Sequence, residues 1–156
     1  MPDSVLSAPE QGGSVQGEHR HVFVLRWADM DALQHVNNTV YFRAIEEARM
    51  QIFGPLRHLF GPGIGVVLAR AECDFLKPMS WPGNIEVVHH LVRIGRSSME
   101  CNILIRKQGE PEILYARSRA VVVLSDLASG KSSPWPAALL EQLQRQFAAA
   151  PSHAGV

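Results

Sequence analysis

One long stretch in the middle of this chain has the period of a helix, and it is set among stretches with the period of a strand. Tyr41, Ala44, Ile45, Ala48 and Ile52 recur three and four residues apart, the spacing that gathers side chains on one helical face. Ahead of it, His21, Phe23, Leu25 and Trp27 alternate with Val22, Val24 and Arg26. Behind it the period is again two. Val67, Ala69, Ala71, Cys73 and Phe75 make one expected apolar face, and Met99, Cys101, Ile103 and Ile105 another. Between these lies a strand expected over 85–94, and the last strand turns Leu114, Ala116, Ser118, Ala120, Val122 and Leu124 to one side. Its small residues leave room for a helix to lie close. Pro- and Gly-containing turns at 61–63, 81–84 and 108–111 separate the segments. One strand, one long helix and four more strands make an α+β unit. Only Arg43, Glu46, Glu47 and Arg49 interrupt the helix's apolar character, so it is expected to be mostly buried, with Gly54-Pro55 stopping it. Pro134 to Phe147 suggests a short terminal helix.

A chain of 156 residues with 46% hydrophobic content suits one domain with a real core, expected over 20–147. Residues 1–19 are rich in Gly, Ser, Pro and Gln and read as a flexible arm, and 148–156 read as a frayed tail. The formal charge is zero, which predicts neither nucleic-acid nor anionic-membrane binding. The arm holds three acidic residues and no Lys or Arg. The remainder therefore sets 15 Lys and Arg against 12 Asp and Glu, a balance of +3. No apolar run approaches the roughly 20 residues needed to span a bilayer. The first residues lack a signal peptide's basic and apolar regions, so the cytoplasm is the expected location. Cys73 and Cys101 have no CxxC spacing and are expected as buried free thiols. No metal-ligand pattern is present, and His89 and His90, adjacent in a strand, point to opposite faces.

The chemistry concentrates where the first strand meets the helix. Asp29 and Asp31 lie just ahead of the paired Asn37 and Asn38, where the helix is expected to begin. A carboxylate there sits beside free backbone N–H donors and the positive end of the helix dipole, a pairing suited to attack on an acyl carbonyl. Taken alone, Asp31 also reads as an Asp that orders a loop, and one Asn as an ordinary N-cap. His35 can orient Asp31 or simply bond within the loop. Tyr41 reads as a packing residue. Arg43 with Glu47, and Glu46 with Arg49, have the spacing of helix-surface ion pairs.

The same residues resemble a family signature. Asp29, Asp31, His35, Val36, Asn37, Asn38 and Tyr41 match the Asp-x-Asp, His-Val-Asn-Asn and Tyr pattern of the hotdog-fold thioesterases. That group holds the 4-hydroxybenzoyl-CoA and short-chain acyl-CoA thioesterases. The resemblance covers 20–130, with the specific motif between 26 and 49. It implies an antiparallel sheet wrapped around one long central helix. It also implies an acyl-CoA thioester hydrolase needing no cofactor or metal, and a homodimer or homotetramer with its site at a subunit junction. By the same resemblance Asp31 is the catalytic carboxylate, as nucleophile or as general base. The backbone near Asn38 polarises the carbonyl, with Asn37, His35 and Tyr41 beside the substrate, and Glu47 is the reserve base. The benzoyl-type pattern has Gly where this chain has Gln34. The run from Gln34 to Asn38 is closer to the plant fatty acyl-ACP thioesterases, which keeps aliphatic chains and acyl carrier protein open. A hotdog hydratase or dehydratase would carry a His-Phe-Pro run that is missing here. A non-catalytic acyl-CoA binding protein is the alternative from another class.

Overall fold

The computed structural model describes residues 17–148. The expected arm up to residue 16 and the tail from 149 lie outside the described residues. The arm's expected boundary at 19 is corrected, because β1 already begins at Glu18. The elements follow as β1 (Glu18–Val24), α1 (Asn38–Phe53), β2 (Ile64–Phe75), β3 (Asn84–Ile94), β4 (Ser98–Lys107), β5 (Ala116–Asp126) and α2 (Ala137–Ala148). The five strands form one sheet in the order β1-β3-β4-β5-β2, every neighbouring pair antiparallel. The long helix packs against it. This is the hotdog fold.

The period-two reading holds best in the middle of the sheet. Ile85, Val87, His89 and Leu91 of β3, Met99, Cys101, Ile103 and Ile105 of β4, and Ala116, Ser118, Ala120, Val122 and Leu124 of β5 are all buried. It fails in β2. The register against β5 shifts between Leu68 and Arg70, so Ala69 is an extra residue that bulges from the ladder. The expected apolar face is therefore broken: Val67, Ala69, Ala71 and Phe75 are exposed and Cys73 is half-buried. β2 is an edge strand with β5 on one side, so its pattern is not held to a core face.

α1 buries Val40, Tyr41, Ala44, Ile45, Ala48, Ile52 and Phe53 against the sheet. The expectation of a mostly buried helix needs correction, since Phe42, Arg43, Glu46, Glu47, Met50 and Gln51 face outward. The helix starts on Asn37, whose side chain accepts the Thr39 N–H at 3.0 Å. It ends as expected at Gly54-Pro55, although Gly54 stays right-handed and no left-handed cap forms. Pro55 has no N–H to continue the ladder, and the chain tightens into a 3-10 segment, Gly54–Leu59. The terminal helix seals the bottom of the core. Leu139, Leu143 and Phe147 of α2 are fully buried, and Trp135 stacks on Phe53 with ring centroids 6.2 Å apart. No described helix is long and apolar enough to cross a membrane.

Candidate active site

The loop between β1 and α1 folds back on itself as a narrow hairpin. The Asn37 N–H donates to the Asp29 carbonyl at 3.0 Å, Met30 and Val36 form a bridge, and the Asp31 N–H donates to the His35 carbonyl at 2.7 Å. Asp29 thus stands opposite Asn37, and Asp31 opposite His35. The turn at the tip is closed by Gln34 in the left-handed region, at φ 60°. That conformation explains why a glycine suits this position in the benzoyl-type pattern. The segment after β2 clamps the hairpin from outside. The Val36 N–H donates to the Met79 carbonyl at 2.7 Å, and the Ser80 hydroxyl donates to the Gln34 carbonyl at 2.9 Å. Sequence reasoning missed this clamp, since only the buried Met79 between two prolines could have signalled it.

The two carboxylates have different surroundings. Asp29 is buried, accepts the Arg26 N–H at 2.8 Å through Oδ2, and pairs with Arg43 through Oδ1. The Arg43 guanidinium also lies over the Phe23 ring, 5.3 Å from its centroid. Asp29 therefore ties the hairpin to α1 and β1, in keeping with a structural part. Asp31 is half-buried and bonded through one oxygen only. Its Oδ1 accepts the Leu33 N–H at 2.8 Å and the His35 N–H at 3.2 Å, while Oδ2 has no protein partner among the described residues. Loop ordering and an available oxygen are combined in one side chain.

At the helix start, Thr39 N–H is taken by the Asn37 side chain and Val40 N–H by the Asn37 carbonyl at 2.8 Å. The Asn38 N–H has no hydrogen-bond acceptor among the described residues. Asn37 and Asn38 are exposed and His35 is half-buried. Tyr41 is buried, its ring meeting Phe75 edge-on at 5.3 Å. Burial pushes its hydroxyl above the usual tyrosine range, with the Met79 backbone opposing.

The expected helix-surface pairs do not form. Arg43 turns to Asp29, and Glu47 instead meets His21 Nε2 of β1 at 2.8 Å. Glu47 lies nine residues beyond Asn38, about 14 Å along the axis at 1.5 Å per residue. The hairpin thus groups Asp31, His35, Asn37 and Asn38 at one end of α1, with Glu47 well along it. Both cysteines are free. Burial pushes the Cys101 thiol up to about 12 and the Cys73 thiol up to about 11, so neither is a ready nucleophile. Among the described residues no three His, Cys, Asp or Glu side chains are grouped to hold a metal ion.

The sequence pattern of the Thioesterase-like superfamily matches residues 25–143, most of the chain. The chain belongs to this superfamily. No curated protein matches it. Among solved structures, this thioesterase is similar to the PA2801 protein of Pseudomonas aeruginosa, a candidate thioesterase. The two are 31% identical over 79% of this chain and 95% of that one, with a TM-score of 0.73. A thioesterase of Thermus thermophilus, solved in complex with coenzyme A and Zn, is 30% identical over 84% of this chain and 95% of that one, with a TM-score of 0.67. The 1,4-dihydroxy-2-naphthoyl-CoA thioesterase Slr0204 from Synechocystis shares the fold at 19% identity and a TM-score of 0.72, covering 86% of this chain and 100% of that one.

Proposed function

We propose that this thioesterase hydrolyses acyl-CoA to free acid and CoA, at a site centred on Asp31 and the first turn of α1. One observation carries the proposal: the hairpin leaves Asp31 Oδ2 and the Asn38 N–H both without a protein partner among the described residues, at the same loop–helix junction. A thioester carbonyl is already electrophilic, so its hydrolysis needs an attacking group and a sink for oxyanion charge. Asp31 supplies the first, by direct attack to a mixed anhydride or by deprotonating water. The Asn38 N–H, at the positive end of a 16-residue helix, supplies the second. His35 and Asn37 flank the carbonyl, and Tyr41 forms part of the wall behind it. Glu47, held by His21, is the reserve base.

The coenzyme fits the remaining charges. Arg70, Arg117 and Arg119 are engaged by Glu72, Asp74 and Glu100. Arg93 and Arg96 have no acidic partner among the described residues and are the better candidates for CoA phosphates. The solved relative with coenzyme A supports CoA as the carrier. The working unit is a homodimer or a tetramer of this chain, acting in the cytoplasm without metal, nucleic acid or membrane.

The test is one acyl-CoA panel read three ways, for thiol release, for enoyl hydration and for saturable binding. Thiol release that persists in EDTA is expected. Hydration or binding without thiol release would overturn the hydrolase reading, and activity lost in chelator and restored by a divalent ion would overturn the metal-free one.

A further inference from the structure

The proposed site is carried by two separate pieces of backbone, and their relative placement needs a cause. Asn38 belongs to α1, whereas Asp31 rides on the tip of the hairpin, residues 31–35. The stem below the tip is well fixed. The Asn37 N–H donates to the Asp29 carbonyl, Met30 and Val36 form their bridge, and the Val36 N–H donates to the Met79 carbonyl. Beyond that bridge the hydrogen bonds turn inward. The Asp31 N–H donates to the His35 carbonyl, the Gln34 N–H to the Asp31 carbonyl at 3.0 Å, and the Leu33 and His35 N–H groups to Asp31 Oδ1. Among the described residues one hydrogen bond joins the tip to the rest of the molecule, from the Ser80 hydroxyl to the Gln34 carbonyl at 2.9 Å.

Ser80 is itself braced. It stands between Pro78 and Pro82, whose rings fix φ. The segment hangs from the Tyr115 carbonyl through the Leu76 and Lys77 N–H groups, at 2.9 and 3.1 Å. The Trp81 N–H donates to Met30 Sδ at 3.3 Å. From β4, Lys107 Nζ donates to the Ser80 carbonyl at 3.2 Å. The Lys107 stem lies directly over Gly83, where a Cβ would stand 2.2 Å from its Cε, so a side chain at 83 would displace it. These bonds make one chain from the sheet to the attacking residue: Lys107 to Ser80, Ser80 to Gln34, Gln34 to Asp31. Ser80 is exposed, and surface substitutions change stability little. Its hydroxyl therefore bears more on where the tip stands than on whether the chain folds.

We propose that Ser80, braced by Lys107, is a positioning residue that holds the Asp31 carboxylate in place relative to the Asn38 N–H; the inference rests on the acyl-CoA reading above. The thioester carbon has to lie within reach of Asp31 Oδ2, or of the water it activates, while the carbonyl oxygen meets the Asn38 N–H. A displacement of about 1 Å in such an arrangement costs up to about 100-fold in rate.

The test uses Ser80→Ala, Ser80→Thr, Lys107→Met and the Ser80→Ala/Lys107→Met pair on the best substrate of the acyl-CoA panel. Ser80→Ala is expected to lower kcat about 10–100-fold with KM within about two-fold of wild type. Ser80→Thr keeps the hydroxyl and is expected to restore kcat. Lys107→Met keeps the stem and loses the donor, so its loss should be smaller. The pair should be no worse than Ser80→Ala alone, because both changes act through one bond. Amide hydrogen exchange followed by NMR adds a readout that needs no turnover. In Ser80→Ala the Asp31 and Gln34 amides should exchange about 10-fold faster, with the Asn37 amide of the stem unchanged. A wild-type kcat in Ser80→Ala, a loss confined to KM, or a loss that Thr does not restore overturns the proposal. If no acyl-CoA is cleaved at all, the hydrolase reading fails and exchange alone decides this one: equal Asp31 and Gln34 rates in wild type and Ser80→Ala overturn it.

Discussion

Asp31 shows how one side chain serves both the structure and the proposed chemistry, because its two oxygens are used differently. Oδ1 holds the Leu33 and His35 amides, which leaves Oδ2 aimed by a rigid loop at no protein partner among the described residues. Asp31→Asn keeps the size and the loop-ordering oxygen but removes the charge. It is expected to fold, to bind acyl-CoA, and to lose about 10²–10⁴ in turnover, the usual effect of a positioned base. His35→Ala is expected to lose less, because it is the backbone of His35, not its ring, that meets Asp31. Glu47→Gln is expected to lose least. A folded Asp31→Asn with near-normal turnover would take Asp31 out of the mechanism, and a large loss at Glu47 alone would move the base onto the helix. Single-turnover hydrolysis in ¹⁸O-water then tests the two roles of Asp31. Direct attack, followed by water opening the anhydride at the Asp31 carboxyl carbon, leaves an unlabelled Asp31 oxygen on the acid and the label on Asp31. Activated water labels the acid at once and never labels Asp31. The motif made the candidate residues legible, because their order along the chain is itself the signal. Which oxygen is engaged was not legible, since that depends on the hairpin's closure.

At the scale of elements, the sequence was most readable where burial is one-sided. β4 and β5 follow their alternation because a face turned to the core must be apolar at every second residue. β2 escaped it because an edge strand with a bulge has no such constraint. The helix pairs were misread for a similar reason. Spacing of three or four says which residues are neighbours on a helix, but Arg43 and Glu47 found Asp29 and His21 on other elements. A buried carboxylate needs its partner more than a solvated one does. The hairpin gives a direct test of local backbone strain. Gln34 at φ 60° carries a left-handed penalty of about 1–2 kcal/mol that glycine would not. Glycine's greater freedom in the unfolded chain returns part of that, so Gln34→Gly is expected to stabilise by up to about 1 kcal/mol. Gln34→Val, β-branched, is expected to destabilise. Denaturant unfolding of the two variants checks this, and the opposite ordering would mean that the turn is not held in the left-handed region.

At the scale of the whole molecule, the edges and the interior make separate claims. β2 offers a 12-residue edge with no second strand partner among the described residues, and Val67 and Leu68 on it are each 42% exposed. Such an edge invites a second copy, and a fully active monomer in sedimentation would count against the proposed oligomer. The interior sets the pH response. Burial, followed by the charges of His19, Arg49 and neighbouring histidines, lowers the His89 pKa from 6.5 to about 3. Burial lowers His19 and His90 as well. A histidine depressed in the fold binds its proton more readily when unfolded, so acid favours the unfolded chain. Above pH 6.5 both states are neutral at His89 and the fold carries no penalty. As pH falls from 6.5 toward 3, the unfolded state gains protons that the native state refuses. Stability is then expected to drop by about 1.4 kcal/mol per pH unit for His89 alone. Urea unfolding at pH 7.5, 6.5, 5.5 and 4.5 measures that slope, and His89→Phe, which fills the same apolar site without a titrating group, should flatten it. A wild-type stability unchanged across this interval, or a His89→Phe variant with the full slope, would show that His89 is not the buried neutral group that sets the acid limit of the fold.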